Sequence, residues 1–111
     1  MKMHKALSLL SIAAKGGRVV SGETATLQAV RRGKADLVIL SQDASRNTEK
    51  KFLNLCKYHD VPVIVFGEKA ALGRAIGKGE RSSLAVLDPS LAAEVRRRIE
   101  EEPEIGERSV L

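Results

Sequence analysis

At 111 residues, 43% hydrophobic and 30% charged, the chain is long enough for one hydrophobic core and too short for two. Its net charge is +5, and because Glu100 to Leu111 holds five glutamates against one arginine, the preceding body carries +9, a charge that attracts polyanions. Two phenylalanines, one tyrosine and no tryptophan exclude a stacking platform of aromatic side chains, and no apolar run is long enough to cross a membrane.

Lys2 to Lys15 places Ala6, Leu7, Leu10, Ala13 and Ala14 at helical spacing, which predicts an amphipathic helix stopped by Gly16-Gly17. Ser8 and Ser11 interrupt the apolar positions, so this segment lacks a signal-peptide core. Arg18-Val19-Val20 reads as a short strand. Ser21, Gly22, Glu23 and Thr24 then open a second helix as a capped N-terminus, with Ala25, Ala29 and Val30 turned inward and Gly33 closing it. Asp36 to Ser41 is short and rich in branched apolar residues, as a buried strand requires. The polar run Gln42 to Thr48 follows, and Asp43 or Ser45 caps a third helix reaching about His59, with Phe52, Leu55 and Cys56 buried.

Val63 to Phe66 is the next strand, entered through Pro62, where a missing donor falls outside the ladder. Glu68 to Ile76 is a short helix ended by Gly77, and Lys78 to Ser82 reads as a mobile charged loop before the strand Ser83 to Leu87. Asp88-Pro89 is a cap followed by proline in the first helical position. The last helix runs to about Glu102 and buries Leu91, Ala92, Val95 and Ile99. Residues 1–102 thus form one domain, and residues 103–111 read as a frayed acidic tail. Helices alternating with strands make the class α/β: a three-layer α-β-α sandwich around about four strands. Periodicity alone points to parallel pairing.

The polar residues after the central strand occupy the sheet edge where α/β proteins place ligands. The Gly22 helix start could present N–H groups to a phosphate, or could be an ordinary helix end. Basic residues near this proposed face are Lys15, Arg18, Arg31, Arg32, Lys34, Lys50, Lys51, Arg74, Lys78 and Arg81. Arg96-Arg97-Arg98 before Glu100-Glu101-Glu102 reads instead as a salt-bridged helix face. Asp43, Ser45, Asn47 and Thr48 have no histidine or cysteine nearby to activate a nucleophile, so no catalytic residue is assigned. His4 and His59 read as surface residues without metal-ligand spacing to Cys56, which falls on an apolar stripe. No cofactor, metal or small-molecule substrate is expected. A lone cysteine suits a reducing cytoplasm.

The succession Gly22, Ala29-Val30, Gly33-Lys34-Ala35-Asp36-Leu37-Val38-Ile39-Leu40, Asp43, Val61-Pro62-Val63 and Leu72-Gly73-Arg74-Ala75-Ile76-Gly77 resembles the ribosomal-protein superfamily that binds kink-turn RNA. This is the large-subunit seven-Ae and thirty-e type. Asp43 to Lys51 looks most like its small bacterial branch, and the resemblance spans roughly Lys5 to Ile99. It implies a mixed sheet and a non-catalytic protein contacting kinked or bulged RNA, with ribosomal RNA among the candidates. On that reading the RNA-binding residues are Lys15, Arg18, Gly22, Glu23, Thr24, Gln28, Asn47, Lys78, Gly79 and Arg81. The relatives' Asn-Glu pair and following basic residue fall on Thr24, Ala25 and Gln28, which do not match, while Gly22 is kept. Lys78 to Ser83 replaces an apolar segment of the relatives with a hydrophilic one suited to phosphates. The alternative is a protein-interaction adaptor on the same fold.

Overall fold

The structure is a computed structural model and describes residues 3–111, so the expected helix start at Lys2 lies outside the described residues. The elements in order are α1 (Lys5–Lys15), β1 (Val19–Ser21), α2 (Glu23–Arg31), β2 (Leu37–Leu40), α3 (Arg46–His59), β3 (Val63–Val65), α4 (Lys69–Ala75), β4 (Ser83–Val86), α5 (Pro89–Glu101) and β5 (Arg108–Ser109). The strands form one sheet in the order β1-β4-β2-β3-β5. Only β2 and β3 pair in parallel; β4 runs antiparallel to both β1 and β2. The sheet is therefore mixed, as the resemblance implies and as strand-helix alternation alone could not reveal.

Two apolar layers explain the sandwich. On one face Leu37, Ile39, Ile64, Phe66, Leu84 and Val86 pack beneath α1, α4 and α5. On the other, Val38, Leu40, Val63, Val65 and Ala85 pack against α2 and α3 through Leu27, Val30, Phe52 and Cys56. Residues of one strand alternate between these layers because successive side chains point to opposite faces. Both faces are covered, so β2 is apolar at every position instead of alternating with polar residues. In α2 the buried residues are Thr26, Leu27, Ala29 and Val30, while Ala25 is only half-buried.

Three local expectations change. The tail expected to fray supplies a fifth strand: Ser109 and Arg108 pair antiparallel with Ile64 and Val65, and the Arg108 guanidinium reaches Glu49 at 3.0 Å. The open flank of β3 has backbone groups that need partners, and this tail satisfies them. His4 is buried rather than exposed. Its Nδ1 accepts the Ala6 N–H at 3.0 Å and caps α1, which makes Nε2 the donor to the Glu102 carbonyl at 2.6 Å, and its ring meets Phe66 edge-on. The residues 77–82 are held, not loose, because Lys78 N–H donates to the Gly73 carbonyl and Arg81 N–H to the Lys69 carbonyl.

Candidate functional site

The register gathers the C-terminal ends of β1, β2 and β3 and the start of β4 at one edge of the sheet. The N-termini of α2, α3 and α4 begin there, as does the segment 77–82. Gly22 turns the chain from β1 into α2 at φ +89°, a conformation that a side-chain-bearing residue rarely adopts. The expected cap is absent. No side chain bonds to this helix start, because the Ser21 hydroxyl instead accepts the Arg81 Nε–H at 3.1 Å. The first bond into the helix is Thr26 N–H to the Gly22 carbonyl, so the N–H groups of Glu23, Thr24 and Ala25 have no partner among the described residues. They carry the positive end of the helix dipole.

Arg81 stands beside this tip and is held in three places. Besides the Ser21 contact, its guanidinium donates to the Glu80 carbonyl at 3.0 Å, and its own N–H is fixed to α4 through Lys69. An open cleft of about 440 Å³ separates Gly22 and Glu23 from Thr48, Glu80, Arg81 and Ser82. The α3 start is closed by contrast: the Ser45 hydroxyl caps the Thr48 N–H at 3.1 Å. Asp43 does not cap α3; its carboxylate instead accepts the first N–H of α4. Desolvation works slightly against the charge of this exposed carboxylate, but the Lys69 N–H at 2.9 Å stabilises it and holds its pKa below the ordinary value.

Thr24 and Gln28 are both exposed and lie one turn apart on α2, and Asn47 is exposed on the first turn of α3. Lys78 and Gly79 are exposed on the held segment, and Lys15 and Lys78 both line a second cleft, beside β1. Arg18 does not join them. It enters β1 from the opposite edge, roughly 10 Å away at strand spacing, and its guanidinium is paired with Asp88. Arg31, Arg32 and Lys34 also lie toward that far edge, where α2 ends and β2 begins. The basic set that looks continuous in sequence is therefore divided between two ends of the sheet.

The near edge also holds acid: Glu23 pairs with Lys51 at 3.5 Å, and Glu80 faces the cleft. Arg97 and Arg98 bond to Glu94 and Glu101 along α5, so the charged helix face is a local ion-pair network. Cys56 is buried, and burial pushes its thiol up to about 11. Among the described residues no cluster of His, Cys, Asp or Glu could hold a metal ion, and no helix is long and apolar enough to cross a membrane. Sequence reading missed the Ser21–Arg81 link because it joins residues sixty positions apart. A serine before the glycine and an arginine before the last strand were its only traces.

Comparison with known proteins places this geometry in context. The model of the family described as "Ribosomal protein L7Ae/L30e/S12e/Gadd45 family" matches residues 4–96. The chain is 43% identical over 84 residues to the RNA-binding protein YlxQ of Bacillus subtilis (strain 168), covering 76% of this chain and 84% of that one. It is 32% identical over 97 residues to the YlxQ protein of Enterococcus faecium, covering 87% and 93%. Among solved structures, a Bacillus halodurans protein of unknown function superposes with a TM-score of 0.85 at 41% identity, covering 88% of this chain and 99% of that one. The Giardia lamblia 15.5kD RNA binding protein superposes with a TM-score of 0.72 at 28% identity, covering 86% and 84%.

Proposed function

The chain belongs to the ribosomal protein L7Ae/L30e/S12e/Gadd45 family, and from that membership we propose that it is a non-catalytic, cytoplasmic RNA-binding protein. The observation that carries the reading is the uncapped α2 N-terminus beside an immobilised Arg81. Free N–H groups and a guanidinium converge on one open cleft, an arrangement complementary to a bent phosphate backbone. The relatives named RNA-binding proteins support it.

In this interface Gly22, Glu23 and Thr24 form the inserted tip. Thr24 and Gln28 offer the polar groups that reach base edges or ribose, and Asn47 flanks them from α3. Lys78, the Gly79 backbone and Arg81 hold phosphates, with Lys15 extending the contact beside β1. Arg18 is left out, since Asp88 already neutralises it. Without an Asn-Glu pair at Thr24 and Ala25, the tip grips a kinked or bulged backbone more than it reads a particular base pair. A role on ribosomal RNA is consistent with that mode.

The test is a filter-binding titration of the chain with ribosomal RNA and with a kink-turn hairpin, at two salt concentrations. Saturable binding that weakens steeply with salt is expected. Arg81→Glu should weaken binding to both RNAs by about tenfold or more, the scale of a lost charge-assisted phosphate contact. Absence of binding to either RNA would refute the reading and favour an adaptor on the same fold.

A further inference from the structure

The strand register leaves one flank of the sheet open. Val20 stands opposite Ala85 in β4, and the bonds that bracket it run from the Leu87 N–H to the Arg18 carbonyl and from the Gly22 N–H to the Ser83 carbonyl. Facing residues in an antiparallel pair alternate between bonding to the partner strand and bonding away from it. The N–H and C=O groups of Val19 and Ser21 therefore point out of the sheet, and among the described residues they have no backbone partner. β1 is the outermost strand on this side, and the opposite edge is formed by β5, which is only two residues long.

This open flank lies in a cleft of about 520 Å³ between the end of α1 and the end of α4, lined by Lys15, Val19, Ser21, Arg74, Ile76 and Lys78 among others. Val19 and Ile76 are half-buried and rest on the core. Lys15, Arg74 and Lys78 are exposed, and none is in an ion pair among the described residues.

We propose that this cleft binds an acidic peptide in extended conformation, which adds to β1 as a further strand. Donors and acceptors alternate along Val19 and Ser21 at strand spacing, and a peptide backbone supplies both in the same alternation. A phosphodiester backbone carries acceptors only and would set its oxygens against the two outward carbonyls. Three unpaired cations select acidic side chains and repel basic ones. Val19 and Ile76 line the same cleft as the cations, so the matching sequence is mainly acidic with apolar residues interspersed. The inference shares Lys15 and Lys78 with the RNA reading but rests on the outward backbone groups of β1 and on Arg74, which that reading does not use.

The test is amide hydrogen exchange on the full chain with a peptide of about ten residues, mainly glutamate with valine interspersed. The Val19 and Ser21 N–H groups should slow by about tenfold or more at saturation, while Val20, already bonded to β4, stays unchanged. Two versions of the peptide, N-methylated on either set of alternate backbone nitrogens, separate strand addition from charge attraction. Binding should fall by about fivefold or more for one set. Arg74→Glu should weaken the unmodified peptide by a similar factor, and Arg74→Lys should restore it. Equal binding of both methylated peptides, or unchanged exchange at Val19 and Ser21, overturns the proposal. So does an RNA hairpin that slows those two amides when the peptide does not.

Discussion

Gly73→Ala tests whether the segment carrying Arg81 is locked to the body of the protein. A methyl group built on Gly73 would sit 2.6 Å from the Gly79 carbonyl carbon, 3.1 Å from the Glu80 Cα and closer still to the Gly79 oxygen. All three are backbone atoms, so no side-chain rotation relieves the contact. Ordinary van der Waals separation begins near 3.4 Å, and the segment would have to retreat by about 1.5 Å. That movement strains the bonds from Lys78 N–H to Gly73 at 2.8 Å and from Arg81 N–H to Lys69 at 3.0 Å, each worth about 1 kcal/mol. Overpacking adds about 1–3 kcal/mol, against roughly 1 kcal/mol gained from alanine's helix propensity. The net expectation is a loss of about 1–4 kcal/mol, read as a lower urea midpoint and a melting temperature lower by roughly 5 °C per kcal/mol. Because Arg81 moves with the segment, RNA affinity measured on the folded variant should also drop. An unchanged or raised midpoint would refute the packing argument, showing that residues 77–82 yield freely to the added methyl.

The Asp88 carboxylate both caps α5, by accepting the Leu91 N–H at 2.9 Å, and pairs with Arg18. Asp88→Ala should cost about 1 kcal/mol in chemical denaturation and Arg18→Ala less than about 0.5 kcal/mol; comparable losses would overturn this ranking of cap above surface ion pair. Cys56 should resist a thiol reagent at pH 8 in the native protein and react promptly in denaturant, since burial both shields the thiol and raises its pKa. Prompt native reaction would contradict its place in the core. Asp43 has a folded-state pKa below its ordinary value, so the carboxylate stabilises the fold at neutral pH, and that contribution is lost as pH falls through the depressed value. Asp43→Asn should therefore show a shallower loss of stability than the parent below pH 4; parallel acid profiles would remove the Lys69 contact from the argument.

Much of the fold was legible because it follows from local chemistry. The apolar run Leu37–Leu40, the Asp88-Pro89 start of α5 and the Phe52–Cys56 stripe of α3 each report a preference carried by a few neighbouring residues, and the structure places them accordingly. Pairing direction is not such a preference, because β4 reverses against β2 only when the whole chain closes. Fate at the chain ends is not local either. His4 becomes a buried cap because α5 and Phe66 surround it, and the tail becomes β5 because the β3 flank has groups to satisfy.

The candidate site divides in the same way. Gly22 was readable, since only a residue free to take positive φ makes that turn, but its bare helix end was not. The Ser21 hydroxyl is within local reach of α2, yet it turns to Arg81, a partner brought near by the β1–β4 pairing. Charge misled for the same reason. Lys15 and Arg18 are three residues apart in sequence, but only Lys15 lies in the cleft beside β1, while Arg18 is spent on Asp88 at the far edge. Amino-acid order determined which residues are cationic, which are apolar and where the chain can turn. Tertiary structure alone decided which cations stand together and which backbone groups are left unpaired, because both depend on strands that meet only after the chain has folded.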